Sequence, residues 1–387
     1  MMKVIHVAES FAAGVLHFVA QLTYAMPEHE HIVIHGNRPD TPTNYATLFP
    51  AGVTLVPWVG VARDISPLGD VVALYRLMRL LQQHDGDIIH LHSSKAGFLG
   101  RIAAKLIWQS ERVIYTPHGV AFLRQDIPSI KQSLFIWLEK LASRCSGQVI
   151  ACSASEANSF TANGIPADFI NNGITCAAIP EKTPTRNPIC TVVLVGRISP
   201  QKNPARYNAI AKACADQPNL RFVWVGDGEL RHVLNAPNLH CTGWVSPAEV
   251  SVHLQQADIY LSTSSWEGLP LSALQAMCHR LPLVLSECTG HLDIVQAGRN
   301  GYLFQHDDTA ILALKTLASD ATLRERLGQG SLELVEQQFT IQQMADSYRR
   351  VYSQNSRQQP IDDDTLTFTE YQKPSPTLGG HAKLKSS

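Results

Sequence analysis

Thr191-Val192-Val193-Leu194-Val195 is a β-branched apolar run that stops at Gly196, and Arg197-Ile198-Ser199-Pro200-Gln201-Lys202-Asn203-Pro204 then turns the chain into a helical pattern. A short apolar run bounded by turn residues predicts a buried strand. Strand, turn and helix in that order form the repeating unit of a parallel sheet. The turn carries Arg197 and Lys202 to the strand's carboxyl end, where the free amides of a helix start favour an anion. Arginine offers a planar fork and lysine a compact point charge, so together they can grip a diphosphate at two places.

Some seventy residues on, Ile259-Tyr260-Leu261-Ser262 predicts another buried strand, followed by Trp266-Glu267-Gly268-Leu269-Pro270. Pro270 stands where a helix takes its first residue, with Leu271 behind it, so free amides again face a strand's carboxyl end. Taken singly, Arg197 and Lys202 read as loop charges and Glu267 as a helix-end carboxylate. At this joint spacing they read as two halves of a nucleotide-sugar site.

The same alternation runs through the chain. Apolar runs at 4–7, 31–34, 53–56, 87–92, 113–116 and 149–151 precede helical patterns, and a second series follows at 191–195, 221–225, 239–242, 259–262 and 282–286. This predicts an α/β protein of two doubly wound, Rossmann-like domains facing across a cleft. We divide it into residues 1–175, residues 176–337 and a last helix at 338–353. The hinge falls between Asn171-Asn172-Gly173-Ile174 and Pro188. Residues 354–387 hold too few apolar groups to offset their ordering entropy and are expected to be a disordered tail.

A chain of 387 residues with 45% hydrophobic and 17% charged residues suits two ordinary cores. The formal net charge of −1 argues against nucleic acid as a partner. Eight cysteines without a Cys-x-x-Cys pair are expected to be buried free thiols in a reducing compartment. The first apolar run is broken at His6, Glu9 and Ser10, so it reads as a strand rather than an export signal. No run of about eighteen apolar residues occurs. The expected location is the cytoplasm.

With these motifs the chain resembles the family 4 retaining glycosyltransferases of GT-B fold, above all those that build bacterial capsule, O-antigen and exopolysaccharide. The resemblance covers about 350 residues, more tightly in the second domain. It implies transfer of a sugar, with retention, from a UDP- or GDP-sugar to a hydroxyl of a glycan acceptor, with a polyprenyl-linked saccharide as the leading candidate. It places Gly196, Arg197 and Lys202 on the donor diphosphate, with Gly268, Leu269, Pro270 and Leu271 beside it, and Glu267 on the donor sugar. The family's second glutamate, eight positions on, is here Gln275, which keeps an acceptor for a ribose hydroxyl but loses the charge-assisted bond. In Thr116-Pro117-His118-Gly119, His118 matches a family histidine that contacts the donor sugar near the reacting carbon. We therefore assign catalytic roles to His118, Glu267, Arg197 and Lys202.

Family members often carry a glycine pair after the first strand. This chain has Ala13-Gly14, and Gly14 can still bring backbone close to a phosphate, whereas Ala13 disfavours conformations that glycine reaches freely. The two cations can hold the leaving group's charge, so no metal or other cofactor is expected. Two other classes share features with this reading. A nucleotide-sugar epimerase of the same fold would convert donor without acceptor, and a noncatalytic nucleotide-sugar-binding protein would bind without turnover. A nicotinamide enzyme is rejected, because Gly226-Asp227-Gly228 lacks the third glycine of the dinucleotide fingerprint.

Two further stretches bear on the acceptor. His92-Ser93-Ser94-Lys95 opens a helix, with Ser93 or Ser94 able to cap it, and Lys95 could meet a phosphate of a lipid-linked acceptor. Arg101 and Lys105 follow at helical spacing and read equally as a solvated basic face. Ile130 to Leu138, apolar with interspersed cations, fits a core helix or a peripheral resting place on a membrane.

Overall fold

The computed structural model describes residues 1–62, 64–176 and 189–356. Residues 177–188 of the stretch given to the hinge and most of the tail from 354 therefore lie outside the described residues, although the last helix itself reaches Asn355.

The first sheet holds β1 (Lys3–Ala8), β2 (Glu30–His35), β3 (Thr54–Pro57), β4 (Ile88–His92), β5 (Val113–Thr116), β6 (Gln148–Ala151) and β7 (Ala167–Phe169). The second holds β8 (Cys190–Val195), β9 (Leu220–Val225), β10 (Leu239–Cys241), β11 (Ile259–Ser262), β12 (Leu283–Ser286) and β13 (Gly301–Phe304). Their spatial orders are β3-β2-β1-β4-β5-β6-β7 and β10-β9-β8-β11-β12-β13, and every named pair is parallel. Around the first sheet lie α1 (Ala13–Ala25), α2 (Pro67–His84), α3 (Ser94–Leu106), α4 (Ser129–Ser143) and α5 (Ala154–Thr161). Around the second lie α6 (Pro204–Ala213), α7 (Pro247–Gln256), α8 (Leu271–Cys278), α9 (His291–Ile294), α10 (Asp307–Ser319) and α11 (Ala321–Gln338).

The apolar runs are continuous because each sheet is buried on both faces. Val192 and Leu194 enter one core cluster while Val193 and Val195 enter another. Ile5 and Val7 are divided from Val4 and Ala8 in the same way. The last helix, α12 (Ile341–Asn355), packs Met344, Ala345, Tyr348 and Tyr352 into the core of the first sheet, beside Val4 and Phe18. A capping box between Thr340 and Gln343 starts it. The edge strand β13, which opens on a glycine, did not register in the pattern.

Two expectations are corrected. Cys176 and Cys278 form a disulfide, their Cα atoms 5.3 Å apart across 102 residues, so these two are not free thiols. The remaining six form no disulfide among the described residues. Arg101 does not belong to a solvated face. It is fully buried, its Nη2 lies 2.5 Å from Glu139 Oε2, and its guanidinium lies 4.3 Å from the centre of the Tyr115 ring. A charge can stay inside only with such a partner.

Candidate functional site

In both sheets the strand order reverses direction once, between β1 and β4 and between β8 and β11. Ligands of open α/β sheets bind at that switch point, outside the carboxyl ends of the strands. The sequence motifs follow β8 and β11 in the second domain, and β1, β4 and β5 in the first. Here the backbone is strained: Ala13, Ser93 and His118 have φ of 45°, 71° and 55° although none is glycine. Such residues cost about 1–3 kcal/mol each and concentrate at functional sites. Ala13, the first residue of α1, thus adopts the conformation its side chain disfavours, while Gly14 behind it has open space where a Cβ would stand.

On the second domain, Lys202 Nζ lies 2.7 Å from Glu267 Oε1, and Gln201 Nε2 donates to Glu267 Oε2 at 3.1 Å. Both charged side chains are largely covered, at 14% and 7% exposure. Burial pushes the Glu267 carboxyl up, but Lys202, His291 and hydrogen bonds outweigh it and the net shift is downward. For Lys202 burial lowers and Glu267 raises, with a net rise, so both stay charged. The loop geometry is fixed by Thr263 Oγ1, which donates to the Lys202 carbonyl at 2.8 Å, and by Asn203, whose side chain caps α6. Gly196 leaves room for Lys202: a Cβ there would stand 3.1 Å from Lys202 Cε.

Arg197 lies across the cleft from the first domain. Its Nη1 is 2.7 Å from Asp40 Oδ2 and its Nε is 3.4 Å from Glu229 Oε2, with 45% of the side chain exposed. Asp40 was not singled out in the sequence, since nothing local marks a loop aspartate as the partner of an arginine 157 residues away. Pro270 takes the cap position of α8 rather than its first turn, which begins at Leu271. Gln275 lies on the exposed side of that helix.

His118 and the Gly268 loop meet between the domains. A Cβ on Gly268 would stand 2.8 Å from the Gly119 amide and 3.2 Å from Glu156 Oε1. Ser153 Oγ donates to the Gly268 carbonyl at 2.9 Å, and Asn172 Nδ2 to the Leu269 carbonyl at 2.8 Å. His118 is half-buried, with Nδ1 3.3 Å from Cys152 Sγ and Nε2 3.0 Å from His92 Nδ1. Burial pushes its pKa down to about 3, so it is neutral.

Lys95 is committed elsewhere. Its Nζ pairs with Asp70 at 2.7 Å and donates to the carbonyls of Ala62 and Asp64, which makes it a brace between α3 and α2. Ser94 opens α3 near the Tyr115 hydroxyl, and the side chain of Ser93 makes no capping bond. The structure therefore does not present Lys95 as a free cation for an acceptor phosphate.

Among the described residues one cluster, His6, His90 and His92, brings three ring nitrogens within 4.8 Å of one another. Their hydrogen bonds leave little for a metal. Both nitrogens of His90 engage hydroxyls, of Tyr352 and Thr116 at 2.8 Å each. Those of His6 and His92 engage other histidines at 3.0–3.1 Å.

The family model for Glycosyltransferase Family 4 matches residues 12–178, and that for Glycosyl transferases group 1 matches residues 190–319. The chain is 31% identical over 292 residues to the Escherichia coli UDP-Gal:alpha-D-GlcNAc-diphosphoundecaprenol alpha-1,3-galactosyltransferase, covering 68% of this chain and 74% of that one. It is 23% identical to the Staphylococcus aureus capsular polysaccharide biosynthesis glycosyltransferase CapM, over 76% and 84% of the two chains. Among solved structures, Anabaena HepE in complex with UDP and glucose superposes with a TM-score of 0.72 at 17% identity, over 91% of this chain and 100% of that one.

Proposed function

The chain belongs to the family 4 glycosyltransferases, and on that premise we propose that it moves a sugar, with retention, from a nucleoside diphosphate-sugar to a hydroxyl of a polyprenyl-linked saccharide in surface polysaccharide assembly. The observation that carries this is the convergence of Arg197, Lys202, Glu267, the Gly268 loop and His118 at the facing strand ends of two domains. A uridine donor is favoured over guanosine by the UDP-Gal in the name of the Escherichia coli relative and by the UDP bound in HepE.

In this reading the diphosphate draws Arg197 from Asp40 and shares Lys202 with Glu267. Negative charge grows on the leaving diphosphate as the glycosidic bond lengthens, and cations already in place lower that barrier without reorganising. No metal is needed for this step. Apposed domains keep water from competing with the acceptor hydroxyl. Thermal melting with a panel of nucleoside diphosphates and their sugars tests the reading. A UDP-specific rise in Tm, lost in Arg197→Ala, is expected. No rise with any nucleotide would overturn it.

A lipid-linked acceptor calls for contact with a membrane surface, and the first domain carries a fitting face. Leu68, Val71 and Tyr75 on α2 and Ile130 and Trp137 on α4 are all more than half exposed. Arg76, Arg79, Lys131 and Lys140 accompany them, while the acids of these helices, Asp70 and Glu139, are already paired with Lys95 and Arg101. Exposed apolar groups amid cations that the acids of their own helices leave unneutralised suit anionic lipid. Among the described residues no helix is long and apolar enough to cross a membrane, so the proposed contact is peripheral, at the inner face of the cell membrane. Sedimentation with anionic vesicles at low salt should carry the protein down and lose it with Trp137→Glu and Leu68→Glu combined. Equal recovery from both would remove this part of the proposal.

A further inference from the structure

His31 on β2, His6 on β1, His92 on β4 and His118 just past β5 stand on four strands that are neighbours in space. Their rings connect in series. His118 Nε2 lies 3.0 Å from His92 Nδ1, His92 Nε2 3.1 Å from His6 Nδ1, and His6 Nε2 3.1 Å from His31 Nδ1. Successive rings are nearly parallel, at 24°, 22° and 27°. The row ends at the Met26 carbonyl, 2.9 Å from His31 Nε2, and at Cys152 Sγ, 3.3 Å from His118 Nδ1. It crosses the sheet beneath α1 and α12, and His31, His6 and His92 are each at most 3% exposed.

A neutral imidazole has one N–H and one lone pair, so fixing one end of such a row fixes all of it. The Met26 carbonyl can only accept. His31 must therefore carry its proton on Nε2, which leaves its Nδ1 lone pair to accept from His6 Nε2–H. The same step repeats from His6 to His92 and from His92 to His118. His118 is then protonated on Nε2, and its Nδ1 lone pair accepts a hydrogen bond from the Cys152 thiol, which keeps its proton. Reversing the row would set the His31 lone pair against the carbonyl lone pairs of Met26. Burial pushes His6 and His92 well below the ordinary histidine range, so neither is a cation that would break the pattern.

We propose that His92, His6 and His31 are positioning residues, a polarised imidazole row that holds His118 as the neutral Nε2–H tautomer at the donor-sugar site. The proposal rests on the reading of His118 given above. It deepens that reading by fixing what His118 can recognise. Nε2–H is spent on His92, so the ring's remaining capacity is the Nδ1 lone pair, held by a thiol that is only a weak donor. A sugar hydroxyl is a stronger donor and can replace the thiol. A carboxylate in that place would meet lone pair with lone pair, so His118 selects a hydroxyl-bearing sugar over a uronic acid at the position it contacts.

Nitrogen-15 NMR of the histidine-labelled enzyme, with His118→Asn to assign the signal, reads the tautomer directly and without turnover. The expected result is one His118 species, protonated on Nε2 and unprotonated on Nδ1, unchanged between neutral and mildly acidic pH. A tautomer mixture, or an Nδ1–H form, in the unaltered protein would overturn the proposal. His6→Phe cuts the row, while His6→Gln can restore it, its carbonyl accepting from His92 and its amide donating to His31. We expect His6→Phe to mix the His118 tautomers and lower kcat about tenfold with donor KM changed less than about threefold, and His6→Gln to recover most of both. An unchanged His118 signal in folded His6→Phe would also refute the row. Should no sugar donor be turned over by any variant while the tautomer is as stated, the glycosyltransfer reading fails and the row stands.

Discussion

Arg197 and Lys202, the two cations proposed to hold the donor diphosphate, start from unlike states. Arg197 is exposed, and its contacts with Asp40 and Glu229 are surface pairs of the kind worth about 0–1 kcal/mol, so a diphosphate can replace them cheaply. Lys202 and Glu267 are a covered pair, and removing one member of such a pair costs about 3–5 kcal/mol because the other charge is left behind. Glu267→Gln should therefore lower Tm in the free protein. UDP should return more of that loss to the variant than it adds to the unaltered protein, since the diphosphate gives Lys202 its missing partner. If Glu267 also holds the donor sugar, the extra rise that UDP-sugar gives over UDP should vanish in the variant. Calorimetry with both ligands measures the three effects, and an undiminished UDP-sugar increment would leave Glu267 with the structural role alone.

At the scale of elements, what was legible in the sequence was what local physics decides. Strands buried on both faces read as unbroken apolar runs, and β5 and β11 begin and end where their side chains predict. Helix-period patterns located α10, α11 and α12. The second-domain motifs were legible for the same reason, since both lie on a strand-to-helix turn. Whatever depends on a partner far along the chain was hidden. Lys95 looked like a free cation until Asp70 was beside it, Arg101 looked solvated until Glu139 was, and Cys176 showed no sign of Cys278. Nothing near His6 or His92 in the sequence pointed from one to the other, because only the parallel register that sets His6 against His90, and hence His92 two residues on along the same face, brings the rings together. The strain at Ala13, Ser93 and His118 was equally invisible: a residue's identity says which conformations it disfavours, not that the surrounding fold imposes one.

At the scale of the whole molecule, the two domains are joined by polar contacts gathered at the amino end of α5. Ser155 donates through its amide to Asp293 at 3.0 Å and accepts from the Gly290 amide at 2.8 Å, beside the bonds from Ser153 and Asn172 to the Gly268 loop. Glu156 lies fully buried in this seam and accepts from the amides of Gly119 at 2.8 Å and Cys152 at 2.7 Å. Burial pushes its pKa up to about 7, with Asp293 adding to the rise and the amide bonds to Gly119 and Cys152 opposing it. A carboxyl raised from its ordinary 4.5 binds more protons folded than unfolded between those two values, so stability falls as pH climbs from about 4.5 to about 7 and is level above. Glu156→Gln cannot titrate. The Tm of the unaltered protein, taken relative to that of Glu156→Gln at each pH, should accordingly decline by several degrees from pH 5 to pH 7 and then stay constant. A difference that is flat across this range would mean that the two amide bonds keep Glu156 ionised throughout, and a difference that grows with pH would reverse the balance between burial and hydrogen bonding argued for the seam.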